Sequence, residues 1–370
     1  MPRISIVIPN YNHAAYIVEA LDHVANQTFQ DFEVIVVDDG STDASVEVVS
    51  QHRLPLTVLR SEHKGPAAAR NKGIAASDSE YIAFMDADDL CQSRRLELQV
   101  QKLENEKLDM VASALSFIDA QGCPIPGLWA CPPHARRNYW ASLVERNWIG
   151  TPSVMLRRSI LPSTGVFDEK FTHAEDYDLW LRVGRSHSIG FIETPLIQCR
   201  RHESNTSRNT ESHKYFERKA LQKIDPAEAY EAFARLYPAE HERDESWIGF
   251  LLRSANPRFL DEAHRALARN PRSSVVRFAL GVFHFDSGNY ERSRATFLGI
   301  PEQDAASIHN AGVTSALCGD FAFARLKLTD ALRVRPEYYD ARCNLEALRS
   351  GEPLRLTRRP LRTDLIPIRN

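Results

Sequence analysis

The feature that most limits what this chain can become is the alternation of strand and helix signals in its first ninety residues. Ile4-Ser5-Ile6-Val7-Ile8 is a β-rich run closed by Pro9, and Ile17, Ala20, Leu21 and Val24 then repeat at helical spacing between about residues 14 and 26. A second run, Phe32 to Val37, ends at Asp38-Asp39-Gly40-Ser41 and is followed by a helix over 43–51 and a strand over 54–59. Pro66 stands at a first helical position and opens a helix to about residue 76. Tyr81 to Met85 is a fourth strand, ending at Asp86-Ala87-Asp88-Asp89. Strands spaced by helices of this length predict βαβ units and a mainly parallel sheet flanked by helices, an α/β fold. Beyond it the spacing predicts a helix over 94–106, strands over 110–118 and 153–156, a helix over 175–184 and a strand over 189–199. The stretch 123–137, with Pro124, Pro126, Pro132 and Pro133, reads as a long surface loop.

After about Asn209 strand signals fade, and Ala, Arg, Leu and Glu take over at helical spacing. Gly281, Gly288, Asn289, Tyr290 and Phe297 align with Gly312, Gly319, Asp320, Phe321 and Leu328 at a constant offset of 31 residues. This resembles the tetratricopeptide repeat over roughly 261–348, although the usual period is about 34, which implies a shortened loop near Pro301. The expected organisation is therefore a catalytic α/β domain at 1–210, an all-α helical-repeat domain at 211–350 and a basic arm at 351–370 carrying Arg355, Arg358, Arg359, Arg362 and Arg369.

Composition removes several classes. Lys and Arg total 46 against 49 Asp and Glu, a net charge of −3 that is too balanced for a dedicated nucleic-acid binder. No apolar run reaches the roughly 18 residues of a membrane span, and Met1-Pro2-Arg3-Ile4 enters a strand without the layered regions of a signal peptide. Six cysteines are scattered without a C-x-x-C pair, which favours a reducing compartment over a disulfide scaffold or a thiolate zinc site. The expected location is the cytoplasm, including the inner face of the membrane.

In a parallel sheet ligands bind at the carboxyl ends of the strands. Pro9-Asn10-Tyr11-Asn12, Asp38-Asp39-Gly40-Ser41-Thr42-Asp43 and Asp86-Ala87-Asp88-Asp89 all fall there. Carboxylates gathered at one edge repel one another unless a cation or hydrogen-bond donors join them. A hard divalent ion, Mn or Mg, bridging to phosphate satisfies that requirement.

Those segments, with Gln27-Thr28-Phe29, Gly65-Pro66-Ala67-Ala68-Ala69-Arg70-Asn71 and Ala174-Glu175-Asp176-Tyr177-Asp178-Leu179-Trp180, resemble the family-2 glycosyltransferases of GT-A fold over about residues 3–205. The resemblance implies transfer of a sugar from a nucleoside diphosphate, UDP- or dTDP-linked, to a hydroxyl of a glycan, lipid-linked or protein acceptor, with inversion and a divalent cation. It implies that Tyr11 stacks on the nucleobase beside Pro9, that Asp39 accepts from the base with Asp38 close by, and that Arg70 approaches the diphosphate. Asp86 then contacts the ribose or the metal shell, Asp88 binds the metal, and Asp176, in the Glu175-Asp176 pair, is the general base. His202 falls where relatives place a His near metal and diphosphate.

No G-x-x-x-x-G-K-[ST] or G-x-G-x-x-G occurs, which disfavours a kinase or a dehydrogenase. Nothing fixes His134 or His173 at metal-ligand spacing. A nucleotidyltransferase would want a Gly- and Arg-rich loop where Pro9-Asn10-Tyr11-Asn12 stands. The competing class is a non-catalytic interaction protein, in which the repeats hold a partner or a second copy and the α/β half is degenerate. The acceptor site is expected to involve 123–151.

Overall fold

The computed structural model describes residues 1–203, 205 and 210–358, so Arg359, Arg362 and Arg369 of the expected arm and Ser204 lie outside the described residues. The chain divides into two compact units, Met1–Asp225 and a second that begins at Pro226.

In the first unit the elements run β1 (Ile4–Asn10), α1 (Ile17–Ala25), β2 (Phe32–Asp38), α2 (Ser45–Ser50), β3 (Thr57–Arg60), α3 (Pro66–Ala75) and β4 (Tyr81–Phe84). They continue with β5 (Leu90–Cys91), α4 (Arg95–Asn105), β6 (Met110–Asp119), β7 (Pro124–Trp129), α5 (Tyr139–Glu145), β8 (Met155–Arg157), α6 (Leu161–Thr164), α7 (Glu175–Ser186), β9 (Ile189–Arg201) and α8 (Thr210–Gln222). Among the described residues the strands form one sheet in the order β3-β2-β1-β4-β8-β6-β9-β5, with β7 also on β6. β3, β2, β1 and β4 are mutually parallel, so their carboxyl ends share one edge.

The apolar runs are continuous because the sheet is covered on both faces. Ile4, Ile6 and Ile8 pack with Leu21, Val24, Val34 and Val36 in one layer, whereas Ile35 and Val37 meet Ala69 of α3 in the other. The stretch expected to be a loop at 123–137 instead contains β7, antiparallel to β6. Its prolines are compatible with a strand because a strand paired on one side needs only half of its N–H groups. β9 runs parallel to β6 along its length, Met110 facing Ile189 and Asp119 facing Arg201. Their register slips twice, between Ser113 and Leu115, where Pro195 enters the ladder.

The second unit is helical among its described residues: α9 (Pro226–Leu236), α10 (Glu240–Arg253), α11 (Phe259–Arg269), α12 (Ser274–Asp286), α13 (Tyr290–Leu298), α14 (Ala305–Leu317), α15 (Phe321–Val334) and α16 (Tyr339–Ser350). The 31-residue offset has a physical basis. A Cβ on Gly281 would lie 2.7 Å from the Phe297 ring, and one on Gly312 would lie 3.1 Å from Leu328, so each small residue admits the next helix at the equivalent site. Asn289 caps α13 by accepting from the Arg292 N–H, and Asp320 caps α15 by accepting from the Phe323 N–H. Gly288 and Gly319 precede them at φ +72° and +88°. None of the described helices is long and apolar enough to cross a membrane.

Candidate active site

At the end of β1 the chain turns into a loop locked against the end of β2. Asn10 donates to Asp38 (3.0 Å), the other Asp38 oxygen accepts from the Ser41 N–H (3.1 Å), and Asn12 Oδ1 accepts from the Thr42 N–H (2.8 Å). Asp38 is thus buried and engaged in holding the loop. Asp39, also buried, accepts from the backbone N–H groups of Lys64 (2.9 Å) and Gly65 (2.7 Å). It fixes the loop that leads from β3 into α3. A carboxylate offers about four acceptor positions, so Asp39 keeps capacity for a further donor. Tyr11 stands 40% exposed with its ring stacked on His63 at 4.0 Å. Pro9 is half-buried within β1.

From α3, buried Arg70 reaches two acids at once: Nη1 donates to Glu175 (2.7 Å) and Nη2 to Asp86 (2.8 Å). Burial alone would lower its pKa, but the charges of Asp86 and Glu175 outweigh that and raise it. The carboxyl end of β4 is thereby joined to the first turn of α7. Burial, with the Asp88 charge adding to it, raises the pKa of Asp86 despite Arg70.

The next acid faces the other way. Asp88 Oδ2 lies 2.8 Å from His202 Nε2 and accepts from Asn205 Nδ2 at 3.2 Å. Burial favours its neutral form, but the His202 hydrogen bond and the nearby His13 prevail and hold its carboxyl below the usual range. Arg200, at the end of β9, donates its backbone N–H to Asp89 (2.9 Å) and Nε to the Asp88 carbonyl (2.8 Å), and pairs with Glu19 (2.7 Å). This anchors His202 beside the acidic turn. Burial and the neighbouring Asp88 and Asp86 charges push Asp89 well up. Buried Arg95 donates to the Phe84 carbonyl at 2.7 Å and fixes the end of β4.

Ligand-type atoms of His13, Asp88 and His202 all lie within 4.8 Å of one another. Two imidazoles and a carboxylate suit a first-row divalent transition-metal ion, so the residues present fit a cation. Sequence reasoning missed His13. A single His after the first strand carries no spacing signal, and only the fold brings it to Asp88.

Residues 5–160 match the family model described as Glycosyl transferase family 2. An uncharacterized glycosyltransferase of Rickettsia typhi is 30% identical over 233 residues, covering 60% of this chain and 70% of that relative. The chain belongs to glycosyl transferase family 2. An uncharacterized glycosyltransferase of Rickettsia bellii is also 30% identical, over 55% of this chain, but the match spans only 30% of the relative's length. In fold, this family-2 chain is similar to S. aureus TarS 1-349 crystallised with UDP-GlcNAc: TM-score 0.51, 19% identity, 95% of this chain and 92% of that one.

Beyond the matched residues, in the first turn of α7, stands Asp176. Its Oδ2 accepts from Thr151 Oγ1 (2.9 Å) and its Oδ1 from the Tyr177 N–H (2.6 Å). Burial first, then the adjacent Glu175 charge, raise its pKa to about 7, with Thr151 and Arg70 pulling the other way. A carboxylate poised near neutrality can both hold and release a proton. Thr151, a second residue that the sequence did not single out, stands in a short turn ahead of β8.

Proposed function

We propose that this chain transfers a sugar from a nucleoside-diphosphate sugar, UDP- or dTDP-linked, to an acceptor hydroxyl with inversion and with the help of a divalent cation. The observation that carries this reading is the electrostatic continuity of the site: Arg70 ties Asp86 to Glu175 and lies in the field of Asp176, while Asp86 feels Asp88. These links join Asp86, Asp88, Glu175 and Asp176 around Arg70, which supports one charged site built from acids of separate segments. UDP-GlcNAc in the TarS crystal makes UDP-sugars the first donors to try.

Asp176 takes the proton from the acceptor O–H as that oxygen attacks the anomeric carbon. The bond from that carbon to the diphosphate breaks on the opposite face, and its electron pair leaves with the phosphate. Thr151 holds the Asp176 carboxylate in place through its hydrogen bond. Tyr11 offers its exposed ring to the base and Asp39 its remaining lone pairs, with Asp38 and Pro9 shaping that end. Arg70 and Glu175 orient the diphosphate end. His13, Asp88 and His202 would hold the cation, with Asp86 in its outer shell. When bound, the cation neutralises charge developing on the leaving group.

The domain division read from the sequence, 1–210 catalytic, 211–350 tetratricopeptide-like and 351–370 basic, belongs to the same proposal, as do a cytoplasmic or inner-membrane-surface location and a glycan, lipid-linked or protein acceptor. The setting that fits is assembly of bacterial surface glycans or glycoconjugates. Calorimetry with UDP in Mn-containing and Mn-free buffer tests the reading, followed by a nucleotide-sugar hydrolysis screen. Metal-dependent UDP binding is expected, and no binding of any nucleoside diphosphate in either buffer would sink it.

A further inference from the structure

α14 and α16 each present a buried asparagine to the same chain segment. Asn310 Oδ1 accepts from the Thr357 N–H (2.9 Å) while its Nδ2 donates to the Thr357 carbonyl (2.6 Å). Asn344 does the same for Arg355, accepting from its N–H (2.9 Å) and donating to its carbonyl (2.7 Å). Two alternate residues of one segment are gripped by these amides through their main chain. A side-chain amide carries a donor and an acceptor as a peptide group does, so each asparagine stands in for a neighbouring β-strand.

The two amides are aligned by a third residue. His309 Nδ1 lies 3.0 Å from Asn310 Oδ1, and its Nε2 lies 2.7 Å from Asn344 Nδ2. A neutral ring donating from Nδ1 and accepting at Nε2 satisfies both contacts and fixes both amide orientations. Asn310, Asn344 and His309 are 0%, 1% and 0% exposed. The side chains of the segment are held as well, Thr357 Oγ1 meeting Tyr338 Oη and lying 3.4 Å from His309 Nδ1. Leu356 packs on the cluster of Phe278, Phe297 and Ile300, Thr357 Oγ1 donates to Asp340 (2.9 Å), and Arg358 pairs with Asp286.

We propose that the face formed by α12, α14 and α16 is a binding site for an extended polypeptide segment of a partner protein, one carrying an apolar residue two positions before a basic one, and that residues 354–358 of this chain occupy it as a tethered competitor. The grip is on the backbone, so a foreign segment meets the same amides. The acidic Asp286 and Asp340 select against an acidic one.

The probe is a labelled peptide, Glu-Pro-Leu-Arg-Leu-Thr-Arg, identical to 352–358, titrated into the full chain. The double variant Arg355→Pro/Thr357→Pro lacks both gripped N–H groups and should release the tethered segment. Because a short tether gives an effective concentration of order millimolar, the peptide should bind this variant at least tenfold more tightly than wild type. Adding Asn310→Ala and Asn344→Ala should abolish that binding. Equal affinity for wild type and release variant, or unchanged binding after loss of both asparagines, would overturn the proposal. A second readout needs no folded variant: in wild type the Arg355 and Thr357 amides should exchange with solvent at least tenfold more slowly than in the free peptide, and saturating peptide should speed them. Fast exchange without peptide, or no response to it, overturns the proposal too. Light scattering should give one mass across concentration, and a dimer that grows with concentration would replace the partner by a second copy's segment.

Discussion

The two units set different polar groups at the places their function would use. In Met1–Asp225 the buried polar residues include charges joined across distant parts of the chain, such as Arg70 between Asp86 and Glu175 and His202 on Asp88. In the helical unit the residues at the heart of the repeat face are neutral amides and an imidazole, Asn310, Asn344 and His309, set against a backbone. Charges at strand ends are expensive to bury and so are held where chemistry uses them. Amides in an array are cheaper and recognise shape that any polypeptide shares. The first unit is a single place built once, and the second is a surface built by repetition.

That contrast can be broken in four ways. The largest effect expected is from Asp176→Asn, which should lower kcat about 10²–10⁴-fold while leaving the melting temperature near wild type, because the amide oxygen can still accept from the Tyr177 N–H while its NH2 donates to the Thr151 hydroxyl. Normal turnover would remove Asp176 from its role. Arg70→Met should cost the first unit about 3–5 kcal/mol by stranding Asp86 and Glu175, and transfer should fall with it. Segment-resolved hydrogen exchange should show 226–350 unaffected. Gly281→Val should cost the helical unit about 1–3 kcal/mol through overpacking on Phe297 and leave kcat within about twofold. A large loss of transfer there would mean the units are not functionally separate. The smallest effect concerns pH. Asp176 must be ionised to accept a proton, so kcat/KM should rise through about pH 7. Thr151→Val removes a donor that stabilises the ionised form and should move that limb up by roughly half to one unit. A limb that stays put would show that another group sets it.

The first four strands, their carboxylates and the α3 arginine could be read in the sequence because apolar runs, Asp-rich strand ends and Pro66 at a helix start are local signals. The 31-residue offset was equally legible, since the small residue, the cap and the large residue recur as one set. β7 was hidden by Pro124 and Pro126, whose cost depends on which side of the strand is paired. His13 meets Asp88, Thr151 meets Asp176 and Asp89 meets Arg200 across 75, 25 and 111 positions of sequence, and contacts at such separations leave no trace in local pattern. Asn310 and Asn344, 34 residues apart in the numbering rather than 31, fell outside the offset that organised the rest.

The slip in the β6–β9 ladder makes β9 a measuring rod with a loose joint. Upstream of Pro195 an added residue can be absorbed where two registers already meet. Downstream, Ile197 to Arg201 march in step with Leu115 to Asp119. A single residue inserted there would advance the chain by about 3.3 Å and reverse every side chain, swinging His202 away from Asp88. Length variation in this strand should therefore be tolerated before the joint and punished after it.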